Sequence, residues 1–322
     1  FTVQNYTVTR IDPVTNGRAY TENNGKIIVV EDDHLKYINN ISLTLSDTLG
    51  LNFYLNELIP AYEAADYKVL LTGNCLENGQ MVEFTEKNGK YCVTAHVYAK
   101  DLNEKIVAEV VKKDKVIYTS EPYSVSDYLE SALKNVTEPE ALTLIKATKV
   151  FGSASADYFY EGDHGFAESL EAYLKQTDIS EDDLIRLGML DQYAPNFDSN
   201  EAKISLVLDS RTAIRLYIKG VAAKTKSGSL ISEASTKVNK TTYPSYFEIT
   251  ELTPDQLAKN YTITLKDKNY SLSALSWVYR VMNNYISDED SVSDKNLKMA
   301  KAITAYYIAA NEYVNADHAT TS

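Results

Sequence analysis

Two stretches of the chain share one pattern of apolar and polar positions. Residues 41–55 read ISLTLSDTLGLNFYL, and residues 204–218 read ISLVLDSRTAIRLYI. In both, apolar and polar residues alternate on either side of a polar turn, which predicts two short strands joined as a hairpin. The offset is 163 residues, from Ile41 to Ile204, with no gap inside the stretch. We therefore expect two diverged copies of one unit, because a long-period repeat decides the fold.

The hydrophobic period changes after each set of predicted strands. In residues 124–135, 137–158 and 298–314, apolar residues recur every three or four positions, which predicts amphipathic helices. Tyr123–Ser126 and Tyr270–Ser273, 147 positions apart, both read Tyr-Ser-apolar-Ser and are interpreted as matching helix starts. Two apolar stripes correspond at an offset of 155 residues: Ala147, Val150, Phe151, Ala154 and Tyr158, and then Ala302, Ala305, Tyr306, Ala309 and Tyr313.

These patterns predict an α+β fold made of two tandem, diverged repeats. Each repeat is expected to be a small antiparallel β-sandwich or sheet followed by a pair of helices. Residues 1–160 form the first unit and residues 201–322 a second, shorter copy. Residues 161–200 are predicted to be an ordered helical connector, because this segment is apolar and poor in Gly and Ser.

Charge and composition exclude several classes of binding partner for this protein. The chain has 322 residues and a formal net charge of −13, which argues against nucleic acid and anionic lipid, since both need a basic face. No apolar run approaches the roughly 18 residues of a membrane helix, so membrane insertion is not expected. The chain starts at Phe1 without an initiator methionine. We expect a monomeric piece of a larger multidomain protein.

Cys75 and Cys92 are predicted to remain thiols. The Asn-Gly pairs at residues 78–79 and 88–89 predict tight turns between three meandering strands. The two cysteines would then lie on the first and third strands, roughly 9.5 Å apart in a flat sheet, which is too far for a disulfide.

Residues with catalytic or metal-binding chemistry do not form a recognisable motif. His34, His96, His164 and His318 have no metal-ligand spacing, and the chain has no GxSxG, P-loop or Rossmann glycine pattern. The acidic run 288–294 is interpreted as a helix-capping loop, because it lacks the central Gly of an EF-hand loop. A calcium site is the alternative interpretation. We therefore expect neither an enzyme nor a bound metal or cofactor.

Tyrosine is unusually abundant, with 25 Tyr against 8 Phe and 1 Trp. One interpretation is a core that uses Tyr for volume, and the other is a sugar- or protein-binding surface. Four residues that flank turns or break the repeat are the candidate ligand contacts: Trp277, Tyr243, Tyr246 and Tyr193. For Trp277 a core position is the alternative, because it falls in the helix that corresponds to residues 124–135.

The order of these motifs resembles the repeat modules of large secreted surface proteins of gut Firmicutes. The resemblance covers about residues 41–160 and 202–315, and it suggests the starch-adherence proteins of amylolytic ruminococci as functional relatives. It implies an extracellular, cell-surface location. The shared motifs are structural, so no binding residue can be transferred.

The predicted function is a non-catalytic carbohydrate-binding module whose partner is a polysaccharide or a host or bacterial surface glycan. A starch-like α-glucan is the first ligand to try. The alternative is a structural spacer or a protein-binding adhesin module, because every strong match between the two copies is a core position. Any ligand is expected to contact the second unit or the connector, since loops rather than cores carry binding.

Overall fold

The computed structural model shows a mixed α+β protein, as the sequence predicts. The residues it describes are 19–23, 26–30, 36–57, 59, 61–76, 79–208, 211–220, 230–232, 246–265 and 268–316. Of the residues named in the sequence analysis, Phe1, His34, Asn78, Tyr243 and His318 lie outside these ranges.

In the part of the chain that the structure describes, ten strands precede the first α-helix. They are β1 (Ala19–Asn23), β2 (Lys26–Val30), β3 (Ile38–Leu45), β4 (Leu49–Leu55), β5 (Tyr67–Thr72), β6 (Gln80–Glu83), β7 (Thr85–Lys87), β8 (Lys90–Val97), β9 (Val107–Lys112) and β10 (Lys115–Thr119). β1 and β2 form a two-stranded hairpin. The others form two four-stranded sheets, with the orders β3-β4-β8-β7 and β10-β9-β5-β6.

Four helices follow, and then the second set of strands and helices. The helices are α1 (Val125–Asn135), α2 (Pro139–Phe159), α3 (Phe166–Thr177) and α4 (Glu181–Gly188). The later elements are β11 (Ala202–Val207), β12 (Ala213–Ile218), β13 (Leu230–Ser232), β14 (Tyr246–Ile249), β15 (Tyr261–Leu265), β16 (Lys268–Leu272), α5 (Ala274–Ser287) and α6 (Asp294–Asn315). The sheet orders are β11-β12-β14-β13 and β15-β16.

The helix starts are set by local capping. The hydroxyl of Ser124 accepts from the backbone N–H of Asp127, whose carboxylate accepts from the N–H of Ser124, so α1 has the predicted capping box. Ser180 and Asp183 form the same arrangement at α4. In the second half, however, the cap of α5 is Ser273 rather than Ser271. The predicted match at an offset of 147 is therefore wrong by two positions, because Ser271 is paired within β15–β16.

The two cysteines are not joined by a disulfide, as predicted, but the strand arrangement differs from the prediction. Cys75 lies in the turn after β5, and Cys92 lies on β8 in another sheet. The turn at Asn88-Gly89 is present between β7 and β8, with both residues at positive φ. A continuous meander of three strands is therefore wrong, because its middle strand is interrupted at Phe84: β6 pairs with β5 in one sheet, and β7 pairs with β8 in the other.

Residue contacts divide the chain into two compact units. One contains residues 1–42, 51–95 and 105–123, and the other contains residues 43–50, 96–104 and 124–322. These units are not successive segments, and the predicted boundaries at residues 160 and 200 stay a prediction. The first unit holds the sheet β10-β9-β5-β6, in which Val69 and Val110 lie opposite each other and are both buried.

The second unit has a core shared by helices and a sheet. α2 packs along α6, and α3 packs on α2. From the sheet β11-β12-β14-β13, Ile214, Leu216 and Phe247 point into the same core. The segment predicted as a connector contributes to it as well, through Leu170 and Leu184. In the described residues, no helix is long and apolar enough to cross a membrane.

Candidate functional site

Two of the predicted ligand contacts have little exposed surface. Tyr193 is buried after α4, with its ring 6.3 Å from the ring of Tyr307 and nearly perpendicular to it. Tyr246 is buried on β14, with its ring 5.3 Å from that of Tyr217. The two lie in different hydrophobic clusters, so the structure does not bring them together.

The other two predicted ligand contacts, Trp277 and Tyr243, do not define a site in the described residues. Trp277 is half-buried on α5 and packs against the main hydrophobic core. Its position corresponds to the core alternative stated from the sequence. Tyr243 lies outside the described residues. A stacking role for the four residues stays a prediction.

The C-terminal end of α2 presents two neighbouring aromatic side chains to solvent. Phe159 is 38% exposed and Tyr160 is 40% exposed, and they are the aromatic residues among the exposed large apolar side chains of the described chain. We call them the aromatic pair. α2 ends at Phe159, and Tyr160 has an extended backbone whose N–H donates to the carbonyl of Ala156 at 2.8 Å. The two side chains therefore leave the helix at its end.

Tyr160 is held by two charged neighbours. Its hydroxyl donates to Oδ1 of Asp101 at 2.5 Å, and Nζ of Lys100 donates to the same hydroxyl at 3.1 Å. Asp101 is buried, and the Lys100 ammonium also lies 5.1 Å from the centre of the tyrosine ring. Hydrogen bonds to charged groups are stronger than neutral ones. The ring is consequently fixed in orientation although much of it is exposed.

The position of Asp101 depends on a glycine in α2. Asp101 ends a short 3-10 turn, Ala99–Asp101, which packs on α2. A Cβ at Gly152 would lie 1.9 Å from Cδ1 of Leu102, the residue after this turn. Only a residue without a side chain lets the turn approach α2 this closely, and the approach brings Asp101 within reach of Tyr160.

The environment of Tyr160 does not favour a role as a base or nucleophile. The hydrogen bond to Asp101 raises the pKa of Tyr160, burial raises it further, and the hydrogen bond from Lys100 lowers it. The net direction is upward from the ordinary value of 10.0, so the phenol stays protonated at neutral pH. A tyrosine acting as a base or nucleophile needs its pKa lowered. The arrangement is suited to stacking and hydrogen bonding.

A short loop connects the aromatic pair to α3. The N–H of His164 donates to Oδ1 of the buried Asp157 at 2.8 Å, and the His164 ring lies 6.1 Å from the ring of Tyr160. Gly165 has φ of 78°, a left-handed conformation that a glycine adopts without strain, and α3 begins at the next residue, Phe166.

A depression lies between α3, α4 and α6, and we call it the polar groove. Its volume is about 720 Å³. Its walls carry carboxylates from all three helices and lysines from α3 and α6, among them Glu171, Glu181 and Lys301. Its floor is apolar and consists of Phe166, Leu170, Leu174, Ile179 and Leu297.

A second depression, the apolar groove, has a volume of about 460 Å³. It is lined mainly by aliphatic side chains from β3, α1, α2 and the end of α6. The residues that define it are Leu43, Leu45, Tyr128, Ile145, Tyr313 and Val314.

Among the described residues, no group of three or more His, Cys, Asp or Glu side chains could hold a metal ion. In the acidic run that was weighed as a calcium site, Asp288 accepts from the N–H of Asp290 and Ser293 caps α6. These contacts are those of the helix-capping interpretation.

The aromatic pair was missed from the sequence, although a signal was present. Tyr158, Phe159 and Tyr160 are three consecutive aromatic residues at the end of an amphipathic stripe. Successive helical residues point about 100° apart, so one buried face cannot take all three. The structure buries part of Tyr158 against the core and exposes the next two.

No protein-family model, no curated protein and no solved structure matches this chain.

Proposed function

We propose that this protein is a non-catalytic carbohydrate-binding module of an extracellular bacterial surface protein, and that the aromatic pair is where the sugar stacks. The observation that carries the proposal is an exposed tyrosine ring, fixed by Asp101 and Lys100, beside an exposed phenylalanine. The first ligand to test is a starch-like α-glucan, because the resemblance described above includes starch-adherence proteins.

The physical basis is stacking of a sugar ring on a preorganised aromatic face. The axial C–H groups of a hexose form an apolar face, and Tyr offers a large flat surface with little rotamer freedom to lose. Because the Tyr160 hydroxyl is already bound on two sides, ordering its ring on binding costs less. The formal net charge of −13 favours an uncharged glycan over an anionic one.

Affinity electrophoresis in gels containing amylose, pullulan, xylan or mucin tests the proposal. We expect retarded migration in at least one gel, and we expect Tyr160→Ala and Phe159→Leu to weaken it. Phe159→Leu keeps an apolar side chain and removes only the flat ring. Ile286→Ala is the control, because Ile286 is also an exposed large side chain but lies on α5. Unretarded migration of the wild-type protein in all four gels would refute binding of these glycans.

A protein-binding adhesin or a structural spacer is the second candidate, and the apolar groove favours it. Aliphatic side chains dominate its lining, and Val314 is exposed at its edge. Exposed apolar surface of this kind marks protein contacts more often than sugar contacts. Val314→Asp would abolish adhesion to immobilised matrix proteins through this groove and leave glycan retardation unchanged, so one variant separates the two functions.

We also propose that the two halves of the chain arose by duplication of one unit, as the repeat in the sequence suggests. In support, the sheets β3-β4-β8-β7 and β11-β12-β14-β13 have the same order: first, second, fourth and third strand along the chain. Each half ends in a helix pair, and the first helix of each pair begins at a serine cap. An experimental structure in which the two strand orders differ would contradict this origin.

A further inference from the structure

We propose that the polar groove is a second subsite that takes further sugar units of the chain stacked on the aromatic pair. The ligand is then a linear, uncharged oligosaccharide rather than a single sugar. This inference rests on the proposed function. The polar groove has a volume of about 720 Å³, which falls within the range of roughly 300–1,000 Å³ that small-molecule sites occupy.

The walls of the groove supply donors and acceptors in pairs. Nζ of Lys301 donates to Glu181 at 2.6 Å, across from α6 to α4. On α3, Lys175 forms an ion pair with Glu171. A sugar hydroxyl both donates and accepts, so an ammonium beside a carboxylate can satisfy it in both directions.

The same pairing argues against a charged ligand. Lys298 is also engaged, with Nζ 3.1 Å from Asp294 and 3.3 Å from Asp157. All three lysines that line the groove therefore already contact carboxylates. An anionic sugar would have to compete with these carboxylates, whereas an uncharged sugar only adds hydrogen bonds to them.

One buried carboxylate links the loop beside the aromatic pair to the groove. Asp157 connects them, because its Oδ1 accepts from the backbone of His164 beside Tyr160 and its Oδ2 contacts Lys298 in the groove. Lys298 in turn lies over the ring of Phe166 in the groove floor, 5.7 Å from its centre. In this proposal the glycan chain leaves the aromatic pair along this loop and enters the groove.

The floor matches the apolar faces of a sugar chain. Phe166, Leu170 and Leu297 lie between the charged walls. Polar edges around an apolar floor are the arrangement that binds a ring with hydroxyls at its rim and C–H groups on its faces.

Calorimetric titration with oligosaccharides of increasing length tests the subsite. The probes are maltose to maltoheptaose, or the corresponding series cut from whichever polysaccharide retards the protein in gels. We expect affinity to rise at least tenfold from two to seven units. Lys301→Met and Glu181→Gln should reduce that gain at least fivefold and leave disaccharide affinity unchanged, whereas Tyr160→Ala should weaken binding at every length.

Lys149→Met is the matched control. Lys149 forms an ion pair with Glu130 at 2.8 Å between α2 and α1, outside the groove. Thermal melting of each variant checks folding. If Lys301→Met lowers the melting temperature, Glu181→Gln, which removes only a charge, is the groove variant to compare with the control. An affinity that does not depend on length, or groove variants that behave like Lys149→Met, would overturn the subsite and leave the proposed function intact. Absence of binding at every length would overturn the proposed function itself.

Discussion

The rings of Phe151 and Tyr306 stack face to face, with centroids 4.8 Å apart and planes inclined by 12°. Phe151 lies on α2 and Tyr306 on α6, and both are buried. Their positions differ by 155 residues, which is the offset that relates the two apolar stripes in the sequence. The two long helices thus pack on each other through corresponding residues, and both rings belong to the hydrophobic core of the second unit.

We expect Phe151→Ala to lower the free energy of unfolding by about 3–5 kcal/mol, because it removes a buried ring and leaves a cavity. Urea denaturation followed by circular dichroism measures this. Phe151→Leu should cost less, since it keeps most of the buried apolar surface. In a double-mutant cycle with Tyr306→Leu, the two changes should not be additive, because the rings touch. A cost below about 1 kcal/mol for Phe151→Ala would contradict this packing.

Gly152→Ala should destabilise the protein although alanine is the better helix former by about 1 kcal/mol. The added Cβ would lie 2.5 Å from Cγ of Leu102 and 3.2 Å from the carbonyl oxygen of Ala99, so the turn bearing Asp101 must move. Overpacking of this kind typically costs about 1–3 kcal/mol. Thermal and urea denaturation measure the loss.

Gly152→Ala combined with Leu102→Ala provides the control, because the smaller side chain makes room for the Cβ. The double variant should be destabilised by less than the sum of the two single changes. A Gly152→Ala protein as stable as the wild type would show that the turn does not need this close approach.

Stability should fall as the pH rises above about 10. Burial raises the pKa of Tyr173 and of Tyr306 above the ordinary value of 10.0, and Glu312 adds to the effect at Tyr173. The unfolded chain loses these protons near pH 10, whereas the folded chain retains them to higher pH, so their stabilising contribution is complete below pH 10 and is lost above it. Tyrosinate absorbance during alkaline titration should show a late-ionising fraction that appears together with unfolding. A single transition near pH 10 in the folded protein would refute this.

Glu248→Gln should destabilise the sheet β11-β12-β14-β13. Glu248 is buried on β14, directly opposite Arg215 on β12, and forms ion pairs with Arg215 and Arg211. We expect a loss of roughly 2–3 kcal/mol at pH 7, below the range for a fully buried pair because both arginines reach solvent. Glu201→Gln is the control, since it breaks an exposed ion pair with Lys268.

The loss at Glu248 should also depend on pH. Burial by itself raises the pKa of Glu248, but hydrogen bonds from Arg215 and Arg211 bring it below the ordinary value of 4.5. A lowered folded pKa gives stability that is present above about pH 4.5 and is lost as the pH falls through the folded value. The difference between wild type and Glu248→Gln should therefore shrink between pH 5 and pH 3. A constant difference over this range would contradict the charge-based explanation.

The sequence by itself determined the elements that short-range physics controls. The alternation in residues 41–55 and 204–218 predicted the hairpins β3–β4 and β11–β12. The Tyr-Ser-apolar-Ser motif at residues 123–126 predicted where α1 begins, and its Ser124 is the cap of that helix. Hydrophobic periodicity and helix capping depend on residues a few positions apart, so a short stretch of sequence is enough to predict these strands and this helix start.

Only the tertiary structure decided which side chains meet and which remain exposed. Asp101 and Tyr160 are 59 positions apart, and their hydrogen bond forms because Gly152 admits the turn that carries Asp101. Burial of Tyr193 and exposure of Tyr160 likewise depend on what packs against each ring. A local pattern does not contain the identity of that neighbour, because the exposure of a tyrosine is set by residues that are distant in the chain and close in space.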